Sequence, residues 1–232
     1  MLIDEFLDML EEDLRLYDEM IEHRRVATER ATGRVTACQA CPHAAPGCCY
    51  QKNLVYLREV LPIARYLKLN QLDTPEFRQR LLEEGERMEA AGRDTWFREA
   101  HPCIFLEKGR CSVYALRPGS CRAYHVVSDP ANCQPDSYLG IEFIDYGPLH
   151  PAWIQQTYKA HAALRLKDSE QRVFLGTLPR MVHIALEALE AHDFRGYIKQ
   201  QKWPGINTLE AWVEGENPFR DRLINIRRRA TP

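Results

Sequence analysis

Eight cysteines in two groups constrain this 232-residue chain more than any other feature. Four lie in CQACPHAAPGCC, at Cys38, Cys41, Cys48 and Cys49. The other four lie in HPCIFLEKGRCSVYALRPGSCRAYHVVSDPANC, at Cys103, Cys111, Cys121 and Cys133. Both stretches are rich in residues that turn a chain: Pro42, Pro46 and Gly47 in the first, and Gly109, Pro118, Gly119, Ser120, Asp129 and Pro130 in the second. Segments of this kind bury too little apolar surface to fold alone, so something must stitch them, and thiolates around a metal ion do that. All eight cysteines are therefore candidate ligands, and the two groups are expected to converge. Removing the metal is expected to loosen residues 38–133 and leave the flanking helices.

The details of spacing sharpen this. Cys38 and Cys41 form a CxxC half-site that can grip one ion. Cys48 and Cys49 are adjacent, and neighbouring side chains usually diverge, so either each faces a different site or one is a bystander. His43, His101 and His125 stand near cysteines as further candidate ligands, although a histidine in such a place is more often a hydrogen-bonding residue. Arg117 and Arg122 flank Cys121, where at least one guanidinium is expected to face the thiolates and offset their mutual repulsion. The competing reading makes them surface arginines paired with carboxylates.

The rest of the chain reads as helix. Ile3, Leu7, Leu10, Leu14, Tyr17 and Ile21 recur at helical spacing. They predict an amphipathic helix over residues 2 to about 30, laid on the body of the same chain; the alternative is a coiled-coil arm. Leu54, Leu57, Leu61, Ala64 and Leu67 continue the period, with a kink or boundary expected near Pro62. Asp73-Thr74-Pro75-Glu76 opens another helix. Short strands are expected at SVY and AYHVV, and long helices over 149–166 and 178–201. No internal repeat is visible. The fold class is mainly α, with helices around an irregular, cysteine-rich metal-binding centre and at most short strands. One domain is expected over 1–232, made of an N-terminal helix (1–35), a cysteine core (38–133) and a helical C-terminal part (134–232).

Composition excludes several classes. A hydrophobic content of 45% with 28% charged residues is that of a globular protein able to bury a core. A formal net charge of -2 argues against a general nucleic-acid binder. The basic run Arg220–Arg229 reads as a solvated tail, with an acidic protein surface as its natural partner. The N-terminus is acidic from its fourth residue and lacks the basic start of a signal peptide. No apolar run reaches the ~18–20 residues that span a bilayer. A cytoplasmic location is expected, and there an even cysteine count points to metal or redox chemistry before disulfides.

The order CxxC…CC, PCxFL, CxxYxxRPxxCRxY and a last cysteine resembles the YkgJ-type cysteine-cluster family. The residues that carry the resemblance are Cys38, Cys41, Cys48, Cys49, Pro102, Cys103, Phe105, Leu106, Cys111, Tyr114, Arg117, Pro118, Cys121, Arg122 and Cys133. It covers about residues 38–133. It implies a domain chelating zinc or iron, as a mononuclear site or an iron-sulfur cluster. A similar domain occurs in flagellin lysine N-methylases, so the alternative is an iron-sulfur enzyme or an accessory factor for protein modification such as lysine methylation. Against that alternative, the chain has no GxGxxG-type loop after a strand, no HExxH, no P-loop and no nucleophile elbow.

Overall fold

A computed structural model describes residues 3–36, 47–91, 96, 99–133, 141–146, 149–163 and 174–201. Cys38, Cys41, His43, Leu166 and the basic run Arg220–Arg229 lie outside the described residues. The protein is mainly α. Helix α1 (Ile3–Thr32) buries Phe6, Leu7, Leu10, Leu14, Tyr17 and Ile21, the stripe that its sequence displays. It is followed by β1 (Leu54–Tyr56), α2 (Leu57–Leu69) and α3 (Pro75–Ala90). Thr74 caps α3 by accepting a hydrogen bond from Phe77 N at 3.2 Å, with Pro75 in the first turn.

The cysteine region contributes only short elements: β2 (Leu106–Glu107), β3 (Arg110–Cys111) and the single turn α4 (Gly119–Arg122). Lys108 and Gly109, both at positive φ (49° and 77°), join β2 to β3 in a two-residue hairpin. The expected strand at SVY is therefore a turn leading into a 3₁₀ segment, Tyr114–Leu116. In AYHVV only Val126 pairs, in an isolated bridge with Phe143. The chain continues through α5 (His150–Ala163), β4 (Leu175–Thr177), α6 (Leu178–Glu190) and α7 (Phe194–Gln200). The long helix expected over 178–201 is thus two. They part at Asp193, whose carboxylate accepts from Gly196 N at 2.9 Å and starts α7.

At the centre stands an internal two-fold relation. Strands β1 and β4 pair antiparallel, Leu54 with Thr177, Val55 with Gly176 and Tyr56 with Leu175. Each strand runs directly into a 13-residue helix. Two backbone bonds close the pair symmetrically: Leu57 N to Phe174 O at 2.9 Å, and Leu178 N to Asn53 O at 3.0 Å. Each residue of the first strand–helix unit therefore corresponds to one 121 positions later, as Leu54 does to Leu175 and Leu57 to Leu178. Eight of the nine buried positions of α2 match eight of the nine in α6. The sequence shows no plain repeat because only four of the sixteen matched side chains are identical (Leu54 and Leu175, Leu57 and Leu178, Ile63 and Ile184, Ala64 and Ala185), while others differ, as Val60 does from Met181 and Leu61 from Val182.

Pro62 sits inside α2 without ending it. Leu54, taken by periodicity as helical, belongs to β1, because the next residue's N–H bonds across the strand pair rather than down a helix. The core gathers Val60, Leu61, Ile63 and Ala64 of α2, Met181, Val182, Ile184 and Ala185 of α6, and Phe6, Leu7 and Leu10 of α1. A second cluster forms under the other half of α1: Leu14, Tyr17, Ile21, Tyr56, Ile144, Tyr146, Trp153 and Leu175. Among the described residues, no helix is long and apolar enough to cross a membrane.

Candidate metal centre

The cysteine stretches are held against the first strand–helix unit and α1 by polar contacts that reach in from both. Residues Gly47–Tyr50 make one 3₁₀ turn that carries Cys48 and Cys49. Its entry is tight: a Cβ at Gly47 would overlap the carbonyl of Cys133, so only glycine lets the two cysteine stretches meet there. The second junction is a backbone bond from Cys103 N to Cys49 O at 2.6 Å. The hairpin then sets Cys111 opposite Leu106. Finally Pro118 turns the chain into α4, which carries Cys121.

The thiols gathered in this way share one electrostatic field. Burial raises the pKa of Cys121 well above the ordinary thiol range, and the nearby Cys103, Cys48 and Cys111 raise it further. Cys103 is pushed up to about 12, mainly by burial, with Cys111 and Cys48 adding to it. Cys111 is raised by burial and by Cys48. Cys48 moves the other way. A hydrogen bond from the Cys49 thiol lowers it, and raises Cys49, which also feels Cys103 and Cys111. Cys48 and Cys49, adjacent on one turn, share a hydrogen bond inside the same field. Cys133 is buried and meets the others through its carbonyl at Gly47.

The two arginines beside Cys121 divide their work. Arg122 is 1% exposed, and its guanidinium is spent on backbone and α1. It donates to Arg117 O at 2.6 Å and Ala115 O at 2.5 Å, and pairs with Asp18. Arg117 lies over the Tyr114 ring at 3.8 Å and is 3.7 Å from Asp18. Its charge lowers the thiols of Cys48 and Cys111. Arg117 is therefore the guanidinium that the thiols feel, while Arg122 ties their turn to the N-terminal helix.

The described histidines point elsewhere. His101 bridges Glu99 at 2.8 Å and Arg87 at 3.4 Å and lies against Trp96. Burial pushes His125 down to about 4, and its Nδ1 shares a hydrogen bond with Tyr146 Oη at 2.7 Å. Among the described residues, no three His, Cys, Asp or Glu side chains stand at coordinating geometry. The thiols are neighbours in one field without being drawn onto a point.

One charged residue that the sequence reading passes over sits against this centre. Glu59, in the first turn of α2, is 2% exposed. Its Oε1 accepts from Gly119 N at 2.6 Å and its Oε2 from Tyr56 N at 2.7 Å. Burial raises its pKa, and Arg58, the two N–H groups and Arg122 oppose that rise. Both oxygens accept a backbone N–H, an arrangement that favours the ionised carboxylate. The signal in the sequence is Arg58-Glu59 interrupting an apolar run at positions that the helical period buries. Gly119 permits the approach on the other side, since a Cβ there would lie 2.8 Å from the Trp153 ring.

The donor set fits a thiophilic metal. Several buried thiols whose ionisation burial opposes are what a cation relieves. Sulfur suits Zn²⁺, Cu(I) and iron, and is a poor ligand for Mg²⁺ or Ca²⁺. Comparison with known proteins agrees. Residues 37–139 match the family model CxxCxxCC, whose description reads "putative zinc- or iron-chelating domain". No curated protein and no solved structure matches the chain. Over residues 37–139 the chain is thus similar to the CxxCxxCC family, the resemblance that its cysteine spacing carries.

Proposed function

We propose that this is a metal-binding protein in which Cys48, Cys103, Cys111 and Cys121 form the inner ligand set for zinc or iron, with Cys38, Cys41, Cys49 and Cys133 completing the site. The observation that carries the reading is the gathering of thiols from two distant stretches of chain: Cys103 N bonds to Cys49 O, Cys48 and Cys111 raise Cys103, and Cys103, Cys48 and Cys111 raise Cys121. A bound dication would hold these thiols as thiolates and tie the two stretches together. Structural zinc contributes ~10–16 kcal/mol in small peptides, as much as a whole domain's ~5–15 kcal/mol.

A second reading is an iron-sulfur cluster on the same thiols, since such clusters are held by four Cys thiolates as a structural zinc ion is; Cys49, in the same field, is a further sulfur under either reading. Anaerobic purification of the full chain, with metal analysis and an absorption spectrum, tests both. We expect zinc or iron at one equivalent or more per chain, lost in Cys103→Ser and Cys121→Ser. A colourless zinc protein supports the mononuclear site; a brown one with visible charge-transfer absorption supports the cluster. A metal-free chain whose eight thiols all react freely would overturn the proposal.

A further inference from the structure

We propose that Glu59 is a positioning residue of the metal centre: its buried carboxylate holds the turn that presents Cys121 and sets a fixed negative charge beside the thiols. The inference rests on the reading of the cysteines as a metal site.

Three observations carry it. The first is geometry. Glu59 Oε1 accepts from Gly119 N at 2.6 Å, two residues before Cys121, in the only turn of α4. The other oxygen accepts from Tyr56 N at 2.7 Å, so the carboxylate is a bracket between the end of β1 and the start of α4. The opposite face of the turn is held too, by Arg122, which joins the Arg117 and Ala115 carbonyls to Asp18 of α1. Cys121 thus sits on a turn gripped from α2 on one side and from α1 on the other.

The second observation is the internal two-fold. The residue equivalent to Glu59 in the mate unit is Arg180, at the same third position of a helix of the same length. That helix starts from a strand with the same backbone bond and no carboxylate bracket. The strand–helix unit therefore does not need an acid at this position in order to form. What the acid adds is present only in the copy that touches the cysteines.

The third is the surroundings of Glu59. It is 2% exposed, flanked by Arg58 and near Arg122, and hydrogen-bonded to the turn that carries Cys121. A buried carboxylate is costly, and it persists here fully hydrogen-bonded. Beside thiolates it adds to the negative field that a cation neutralises. That favours a dication over a neutral occupant, in the way that outer carboxylates tune metal ligands elsewhere.

The test is Co²⁺ and Zn²⁺ binding to full-length Glu59→Gln, measured by competition with a chromophoric chelator and by the thiolate-to-cobalt absorption bands. Glutamine keeps the size but turns an –NH₂ toward one of the two N–H groups. We expect affinity to fall about 10- to 100-fold, the loss typical when an outer partner of a metal ligand is removed. The cobalt bands should shift, while the helical circular dichroism stays that of the wild type. Leu186→Ala, a core truncation on the mate helix, serves as the stability control and should leave affinity and bands unchanged. If Glu59→Gln does not fold, Glu59→Asp, which keeps the charge and retracts it by one methylene, carries the test with a smaller loss expected. Wild-type affinity and unshifted bands in the folded variant would overturn the inference alone. A wild-type chain that binds neither ion would overturn it together with the metal-site reading.

Discussion

Strand–helix unit Leu54–Leu69 and its mate Leu175–Glu190 share length, backbone pairing and pattern of burial, and differ in the first turn of the helix. The first unit carries Arg58 and Glu59, both 2% exposed. Arg58 lies 3.6 Å from the centroid of the Trp153 ring, donates to Thr157 Oγ1 at 2.8 Å and reaches Asp13 at 3.9 Å. Its mate Pro179 needs no partner at all and simply starts a helix. The comparison separates two jobs. Pairing of the two units builds the core and is indifferent to chemistry, so apolar side chains of different shape fill equivalent places. Among the described residues, the side-chain hydrogen bond from these units to the cysteine turn comes from Glu59 of the first, where the mate has Arg180.

The largest effect should come from breaking what the units share. Leu61 is fully buried where α2 packs on α6, in a core against which Cys103 and Cys111 also pack, and Leu61→Ala removes its contacts there. We expect a loss of about 3 kcal/mol, within the range for such truncations. It would be read as a lowered urea midpoint with unchanged metal content per folded chain. A parallel loss of metal would mean that core and centre are one cooperative unit and that the division above is wrong.

That division also explains what the sequence could and could not disclose. The stripe on α1 and the cap at Thr74 are local signals, and each sits where its spacing puts it. Strand β4 is LGT, three residues without alternation or branched side chains apart from Thr177, and nothing local marks it as a strand. It exists because β1 pairs with it 121 positions away. The two-fold was hidden because burial repeats almost throughout while residue identity repeats at only four of sixteen matched positions. At the centre the cysteines were legible and their brackets were not. Glu59 and Asp18 reach it from helices whose own periodicity gives no hint of a polar target. Of the two arginines flagged, burial assigned Arg122 to α1 and left Arg117 to the thiols, a choice that spacing alone leaves open.

A smaller effect should appear at the far ends of the two helices, where Asp73 joins them through charge. Its carboxylate, 6% exposed, pairs with Lys68 of α2 at 3.1 Å and with Arg78 of α3 at 2.7 Å. Glu190, the last residue of α6, meets the same two cations, each at 2.6 Å. Hydrogen bonds from Arg78, then Lys68, hold the pKa of Asp73 below the usual carboxylate range. A folded-state pKa below the unfolded value of ~3.9 stabilises the fold above that pH, and the gain is lost as pH falls through the folded value. Asp73→Asn should therefore cost about 2 kcal/mol at neutral pH, a charge-assisted hydrogen bond's worth. The gap to wild type in urea unfolding should close as pH drops below ~4. A gap that stays constant down to acid pH would mean that Asp73 acts through packing alone.

The smallest effect is the sharpest test of the asymmetry. Arg180 occupies the place of Glu59 in the mate helix, packed against α3 where Gly85 leaves room; a Cβ on that glycine would lie 3.2 Å from Arg180 Cβ. Its Nε is buried without a hydrogen-bond partner among the described residues, a group that costs free energy to keep dry. Methionine has a similar reach and no such donor. Arg180→Met should therefore leave stability within about 0.5 kcal/mol of wild type, the range of substitutions that break no buried polar contact. Metal affinity should not move at all. Set beside Glu59→Gln, this makes a matched pair: the same helix position in two equivalent units, one charge hydrogen-bonded to the cysteine turn and the other facing only helix. If Arg180→Met lowered metal affinity as Glu59→Gln is expected to, charge at this position would act through the core common to both units, and the bracket at Gly119 would not be what distinguishes them.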